Sequence, residues 1–253
     1  MTQSVSFDRA ADYYDATRGF PPGVEHEVAQ AFVRAGALSS SHRVFEIGVG
    51  TGRIALPLSP YVGEYVGVDI SIAMMDKLRA RMDGQPIRLI QADAAHLPLA
   101  SGMFDAAVAV HVFHLVGDAA AVLREVARAL RPRARLLHGW NSEFESDTLR
   151  QLFNRASGVD ERPAYHSRGV LPAHGWRADG DEVRITYTSE RTARQFLDAL
   201  HNRIWSSCWK MTDAQLAAGL EAVHAYIAAE KLDLDQPIIR HGGFTVQAYI
   251  PPA

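Results

Sequence analysis

"FEIGVGTGRI" (residues 45–54) decides the reading of this chain. An apolar run carries one carboxylate, Glu46, and then passes through Gly48, Gly50 and Gly52 within five positions. Glycine takes positive φ without steric penalty and lets a ligand lie against main chain. A helix that starts just beyond such a turn presents free N–H groups to the same ligand. The stretch "RVFEIG" (43–48) therefore reads as a buried strand, and "RIALPLSPY" (53–61) as a short helix after the turn.

The same alternation continues outward from this point. "EYVGVD" (64–69), "IRLIQAD" (87–93), "FDAAVAV" (104–110) and "ARLLHGW" (134–140) read as four more strands. Small residues in the fourth suit a strand covered on both faces. "SIAMMDKLRARM" (71–82) reads as a helix capped by Ser71, with Met74, Leu78 and Met82 on one face. "DAAAVLREVARALRP" (118–132) reads as another, capped by Asp118 and striped by Val122, Val126 and Leu130. Strands alternating with helices, joined by right-handed crossovers, predict an α/β chain with a doubly wound, mostly parallel sheet and helices on both faces.

The flanks differ in pattern. "VEHEVAQAFVRAG" (24–36) is helical by its spacing of Val28, Ala31 and Phe32 and stops at Gly36, so residues 1–41 read as a helical lead-in. After 141 the rhythm breaks: 142–180 holds polar helical pieces, histidines and prolines without a clear strand. "DEVRITYTSE" (181–190) and "GFTVQAYI" (243–250) alternate as strands, the latter antiparallel, and complete a seven-stranded sheet. Two helices lie between them. One aligns Phe196, Leu200, Ile204 and Cys208; the other opens on the capping box Thr212-x-x-Gln215. The expected organisation is a lid (1–41), a binding core (42–141), a cap insertion (142–180) and a C-terminal part of the sheet (181–253) with cap helices at about 191–230.

The net charge of −3, with no lysine- or arginine-rich block, predicts no nucleic-acid partner and no membrane held by charge. One cysteine precludes an internal disulfide and fits a reducing compartment. The opening "MTQSVSFDRAADYYD" is not an apolar leader and no window approaches a membrane span, so a cytoplasmic location is expected. No metal site is expected. His111-x-x-His114 has no carboxylate partner in a recognisable pattern, and one cysteine cannot build a thiolate zinc site.

Two ligands compete for the glycine loop. A dinucleotide loop wants G-x-G-x-x-G, but the third glycine position is held by Arg53. A carboxylate at Glu46 repels a pyrophosphate and attracts an ammonium or sulfonium. Asp69, at the end of the second strand, is placed to accept from ribose hydroxyls in either case. In "QADAAHLPL" (91–99), Asp93 is placed to accept from an adenine amino group and the Ala94 backbone to read the ring edge.

These motifs in order, from "VFEIGVGTGRIALPL" through "VGVDIS", "QADAAHLPL" and "FDAAVAVHVFHLV" to "VLREVARALRPRARLLHGW", resemble the class I S-adenosylmethionine-dependent methyltransferases. The resemblance covers roughly residues 40–141 and is to the bacterial small-molecule group that includes the ubiquinone/menaquinone-biosynthesis type. "FDRAADYYDATRGFP" (7–21) resembles that group's N-terminal lid. The resemblance implies a Rossmann-like methyltransferase fold with a helical cap insertion, S-adenosylmethionine as cofactor and a small-molecule methyl acceptor. It implies that Gly48, Gly50 and Gly52 line the methionine part, with Glu46 near its amino group. Asp69 would bind the ribose, Ile70 and Met74 would pack near the adenine, and Asp93 and Ala94 would read its edge. His111 would lie beneath the methionine portion, and Tyr14 and Arg18 would close over the cofactor.

Methyl transfer from a sulfonium is an in-line displacement in which positioning supplies much of the rate. A general base is needed only for a protonated acceptor. His111 and His114 are the catalytic base candidates; the alternatives are that His111 only hydrogen-bonds cofactor or backbone, and that His114 starts the next helix. Trp140 and Asn141 are placed either to line the acceptor site or to pack beneath the insertion. His166, Arg168, His174 and Trp176 form either a solvated surface or a basic, aromatic pocket wall. His138 and Cys208 read as core, and Trp205 and Trp209 as packing beside the Cys208 stripe. Two rival functions stand beside the methyltransferase: a non-catalytic S-adenosylmethionine-binding protein and an NAD-dependent oxidoreductase.

Overall fold

The computed structural model describes residues 19–145, 147–158, 166–209 and 211–252. Its strands are β1 (Arg43–Ile47), β2 (Glu64–Asp69), β3 (Ile87–Gln91), β4 (Phe104–Val110), β5 (Leu130–Glu145), β6 (Arg177–Ala178), β7 (Val183–Arg191) and β8 (Ile238–Ile250). Its helices are α1 (Val24–Gly36), α2 (Ala55–Leu58), α3 (Ile72–Arg79), α4 (Ala119–Ala129), α5 (Thr148–Ser157), α6 (His166–Ala173), α7 (Ala193–His201) and α8 (Asp213–Ala229).

The sheet runs β3-β2-β1-β4-β5-β8-β6, and β7 pairs with β8 off this path. β1 is parallel to both β2 and β4, β2 to β3, and β4 to β5, whereas β6 and β8 are antiparallel. The chain thus winds outward from β1 through β2 to β3, then returns to the other side of β1 with β4. That reversal is where a parallel sheet opens a crevice at its carboxyl edge, and the glycine loop follows β1 there.

The expected parallel, doubly wound sheet is present, with corrections at its far edge. The main path has seven strands, but its last member is the two-residue β6 within the stretch read as strandless. The strand expected at 181–190 is β7, which lies off the path and makes eight strands among the described residues.

Local chemistry explains the element ends. Ser71 and Asp118 cap α3 and α4 by accepting from the backbone of Met74 and Ala121. α3 ends at Arg79 because Asp83 and Gly84 turn the chain with positive φ, so Met82 falls outside it. α4 stops at Ala129, and Leu130, expected on its stripe, instead begins β5 opposite Phe104. α7 stops at His201, earlier than its stripe predicts. Arg203 takes φ 47° and donates to the carbonyls of Cys208 and Met211, at 2.9 and 2.7 Å. Cys208 still reaches the expected apolar core, from a separate turn.

The described chain forms two compact units. The first comprises residues up to Asn141, Ala164–Ile185 and Phe244 onward; the second comprises Ser142–Pro163 and Thr186–Gly243. Within this division residues 166–180 group with the first unit. One sheet face of the first unit buries Phe45, Ile47, Val68 and Leu136 with Val122 and Val126 of α4. The other receives α1, whose Phe32 ring lies 6.0 Å from that of Phe244. The second unit packs α5 on α8, where the absence of a side chain at Gly219 admits the Phe153 ring.

Candidate functional site

The loop after β1 is built from three left-handed glycines, with φ 72° at Gly48, 54° at Gly50 and 84° at Gly52. Their surroundings differ. A Cβ at Gly50 would stand 3.5 Å from the Met74 methyl, in ordinary contact. A Cβ at Gly52 would overlap Leu78 of α3 and crowd Leu56 of α2. Close packing, the duty of the third glycine in a dinucleotide loop, therefore falls on Gly52, one position before Arg53.

Asp69, at the end of β2, fixes this loop. One carboxylate oxygen accepts from the Gly50 N–H and the other from the Ser71 N–H, each at 2.8 Å. Ile70, next in the chain, is 37% exposed, a large apolar side chain left at the sheet edge beside a hydrogen-bonding carboxylate. Met74 is buried beneath the loop. Asp93 accepts from the Ala95 N–H at 2.9 Å and so shapes its own turn, and Ala94 packs against the core.

Glu46 is only 2% exposed and accepts from the Tyr65 hydroxyl at 2.8 Å. Val44 pairs with Tyr65 and Glu46 with Gly67, which puts both polar side chains on one sheet face. Burial pushes the Glu46 carboxyl up to about 8; the Tyr65 hydrogen bond opposes this and the charge of Asp69 reinforces it. The folded chain therefore holds the Glu46 proton more tightly than the unfolded chain does. The stability this contributes is complete below about 4.5 and is lost as pH rises through about 8. Glu46→Gln is expected to remove this component, which amounts to about 1.4 kcal/mol per pH unit within that window. Denaturant titrations at pH 5 and pH 8 check it: the two proteins should diverge with pH, and parallel curves would refute the assignment.

Just past the end of β4, and on β5 beside it, a second set of side chains meets. Asn141 Oδ1 accepts from Arg53 Nη2 at 3.1 Å and lies 3.3 Å from His111 Nε2. Arginine only donates, so the amide presents its oxygen, and His111 Nε2 must then carry a proton. In the neutral ring Nδ1 is then the nitrogen without the proton. The Arg53 guanidinium lies 3.7 Å from the Phe20 ring centroid and 5.9 Å from that of Phe244, and the two rings meet edge to face at 5.4 Å. His111 itself takes φ 52°, an uncommon conformation for a side-chain-bearing residue. Nitrogen-15 NMR is expected to find neutral His111 in the Nε2–H form, and Asn141→Ala to lose that preference. An Nδ1–H ring in the unsubstituted protein would contradict the geometry.

The expected candidates thus divide. Gly48, Gly50, Gly52, Asp69, Ile70 and Met74 gather around the loop, while His111 and Asn141 share a hydrogen bond. His114 is exposed in a turn ahead of α4, so it does not start that helix as the alternative reading had it. Trp140 is buried, its ring 5.2 Å from that of the fully buried His138, in line with the packing alternative. Trp176 belongs to the core, and His174 is exposed with Nδ1 2.8 Å from the Val170 carbonyl. Tyr14 and Arg18 lie outside the described residues. Tyr65, Phe20 and Phe244 escaped the sequence reading. A buried acid in a strand demands a donor, which was the available signal for Tyr65. Nothing local joins Arg53 to Asn141 across 88 residues.

Among the described residues no group of three histidine, cysteine or acidic side chains is arranged to hold a metal, and no helix is long and apolar enough to cross a membrane. A methyltransferase-domain family model matches residues 45–138. The chain is 32% identical over 212 residues to the uncharacterized methyltransferase YcgJ of Bacillus subtilis, covering 83% of this chain and 79% of that protein. It is 34% identical over 175 residues to the ubiquinone/menaquinone biosynthesis C-methyltransferase UbiE of Syntrophotalea carbinolica, covering 67% of this chain and 69% of the relative. The crystal structure of YcgJ superposes with a TM-score of 0.58 at 22% identity, over 90% of this chain and 99% of that one. Fold, motif order and relatives agree: the chain belongs to the class I S-adenosylmethionine-dependent methyltransferases.

Proposed function

We propose that the chain moves a methyl group from S-adenosylmethionine to a small-molecule acceptor by in-line displacement. The observation that carries this reading is the Asp69 carboxylate bonded to the Gly50 N–H, at 2.8 Å, beside an exposed Ile70. It joins a hydroxyl acceptor, a side-chain-free stretch of backbone and an apolar ledge, the donor set that a nucleoside with a charged amino-acid tail requires. When bound, S-adenosylmethionine supplies a methyl group on positively charged sulfur. Asp69 accepts from the ribose, Ile70 and Met74 flank the adenine, and Asp93 with the Ala94 backbone reads its edge. Gly48, Gly50 and Gly52 admit the methionine part, and the Glu46 and Asp69 carboxylates favour its positive charge.

His111 is the base we assign for an acceptor that must lose a proton, taking it on Nδ1 while Asn141 holds Nε2–H. A net charge of −3 supports a small acceptor over a nucleic acid. Calorimetric titration with S-adenosylmethionine, S-adenosylhomocysteine and NAD tests the cofactor. Micromolar binding of the first two alone supports the proposal, and binding of NAD alone overturns it. Glu46 adds a signature: a positive charge placed beside it favours ionisation, so proton release, read from the buffer dependence of the binding heat, should accompany binding near pH 7.

A further inference from the structure

The opposite edge of the sheet carries a hollow that methyl transfer does not use. β1, β2 and β4 begin there, with Arg43, Glu64 and Phe104. The glycine loop leaves the other end of β1 at Gly48, about 16 Å away at the rise of an extended strand. The hollow measures about 150 Å³, and its apolar wall includes Val66, Ile90, Leu99, Met103 and Phe104. Val66 and Phe104 are buried, but Ile90, Leu99 and Met103 pack on the core and keep part of their surface exposed. Well-packed protein leaves few voids larger than a water molecule, and an apolar hollow of this size admits a ring as large as benzene.

A charge ladder forms the rim. Arg43 and Glu64 are register partners on β1 and β2, and Arg88 on β3 stands opposite Val66, diagonal to Glu64. Glu64 accepts from Arg43 Nε at 2.6 Å and from Arg88 Nη1 at 3.0 Å. Arg43 also donates from Nη1 to the Met103 sulfur at 3.9 Å, with its guanidinium 5.6 Å from the Phe104 ring centroid. The hydrogen bond from Arg43 is the main reason that the Glu64 carboxyl is held below its ordinary value, so Glu64 stays ionised. The neighbouring acid is committed elsewhere: Asp105 accepts from the Arg43 N–H and from Arg131. The ladder accounts for the tie between β1, β2 and β3 at this edge, but not for the apolar surface left bare behind it. Each guanidinium gives Glu64 one N–H of its five. The Arg88 side chain is 72% exposed, on a stem flexible enough to lean over the mouth.

We infer that this hollow is a second small-molecule site, which takes an apolar monocarboxylate no larger than a single ring. The apolar body rests on Ile90, Leu99 and Met103, and the carboxylate meets the guanidinium edges of Arg88 and Arg43 at the rim. The site lies at the far edge of the sheet from the glycine loop and does not depend on the cofactor reading.

Methyl NMR on the whole chain tests this. The probes are benzoate, benzyl alcohol (the same ring without the charge) and acetate (the charge without the ring), all at one ionic strength. Benzoate should shift the methyl signals of Ile90, Leu99 and Met103 saturably. Benzyl alcohol should bind at least fivefold more weakly, and acetate should leave those signals in place. Arg88→Gln should weaken benzoate at least fivefold. Ala100→Trp, at an exposed position on the lining, should fill the mouth and abolish the shifts. Both substituted positions are exposed, so each variant keeps its fold. Benzoate that leaves the three methyl groups unmoved, or moves only signals near the glycine loop, would overturn the proposal. Benzyl alcohol binding as tightly as benzoate, or undiminished benzoate binding in Arg88→Gln, would overturn it in favour of an apolar dent with no anion recognition. Undiminished binding in Ala100→Trp would overturn it in favour of a site elsewhere.

Discussion

Asp69→Ala is expected to weaken S-adenosylmethionine binding by at least tenfold and to leave the protein folded. Two losses combine. The first is the charge-assisted acceptor for the ribose; hydrogen bonds to charged groups are worth about 1.5–3 kcal/mol, and about 1.4 kcal/mol is a factor of ten. The second is the tether on the loop, because the same carboxylate accepts from Gly50 and Ser71 at 2.8 Å. An untethered loop must be ordered again when a ligand arrives, and that entropy subtracts from affinity. Asp69→Asn separates the two, since it retains a carbonyl oxygen for one tether but loses the charge. Calorimetry on all three proteins is the measurement. An affinity within twofold of the original in a folded Asp69→Ala protein would remove Asp69 from the cofactor site.

Gly52→Ala should be the most damaging single change in the glycine loop, and it should act on stability. The new methyl would overlap Leu78 and crowd Leu56, which costs roughly 1–3 kcal/mol as overpacking. The backbone at φ 84° adds about 1–3 kcal/mol of strain for a residue with a side chain. Gly50→Ala is the control: its φ is 54° but its methyl would meet Met74 at an ordinary 3.5 Å, so the overpacking part is absent. Denaturant unfolding should rank Gly52→Ala well below Gly50→Ala. Equal stabilities would show that packing of α3 on the loop does not govern this position.

Much of this was legible because it is local. The runs 64–69 and 104–110 coincide with β2 and β4, and Ser71, Asp118 and Thr212 cap the helices they precede. Apolar period and cap chemistry are short-range signals. The far edge of the sheet was harder, since two residues at Arg177–Ala178 carry no period at all and exist as a strand through pairing with Tyr249 and Ile250. The site divided the same way. Glycines and strand-end carboxylates announce themselves. Which polar side chains meet does not, as with Arg53, His111 and Asn141, or Asp147 with Arg150, Arg191 and Arg240. Such groupings depend on strand order and on which face a side chain takes, and both are properties of the assembled sheet.

The chain passes between its two units four times, at 141/142, 163/164, 185/186 and 243/244. This bears on how the protein can be dissected. A fragment ending at Asn141 would keep every motif of the glycine-loop region, yet it would lack β8, the neighbour of β5 in the sheet. The remaining strand would offer a raw hydrogen-bonding edge of the kind that drives aggregation. The region matched by the family model, 45–138, is thus a unit of descent and not a unit of expression. Minimal versions should be made by replacing 142–163 and 186–243 with short linkers, so that the C-terminal strand stays in place.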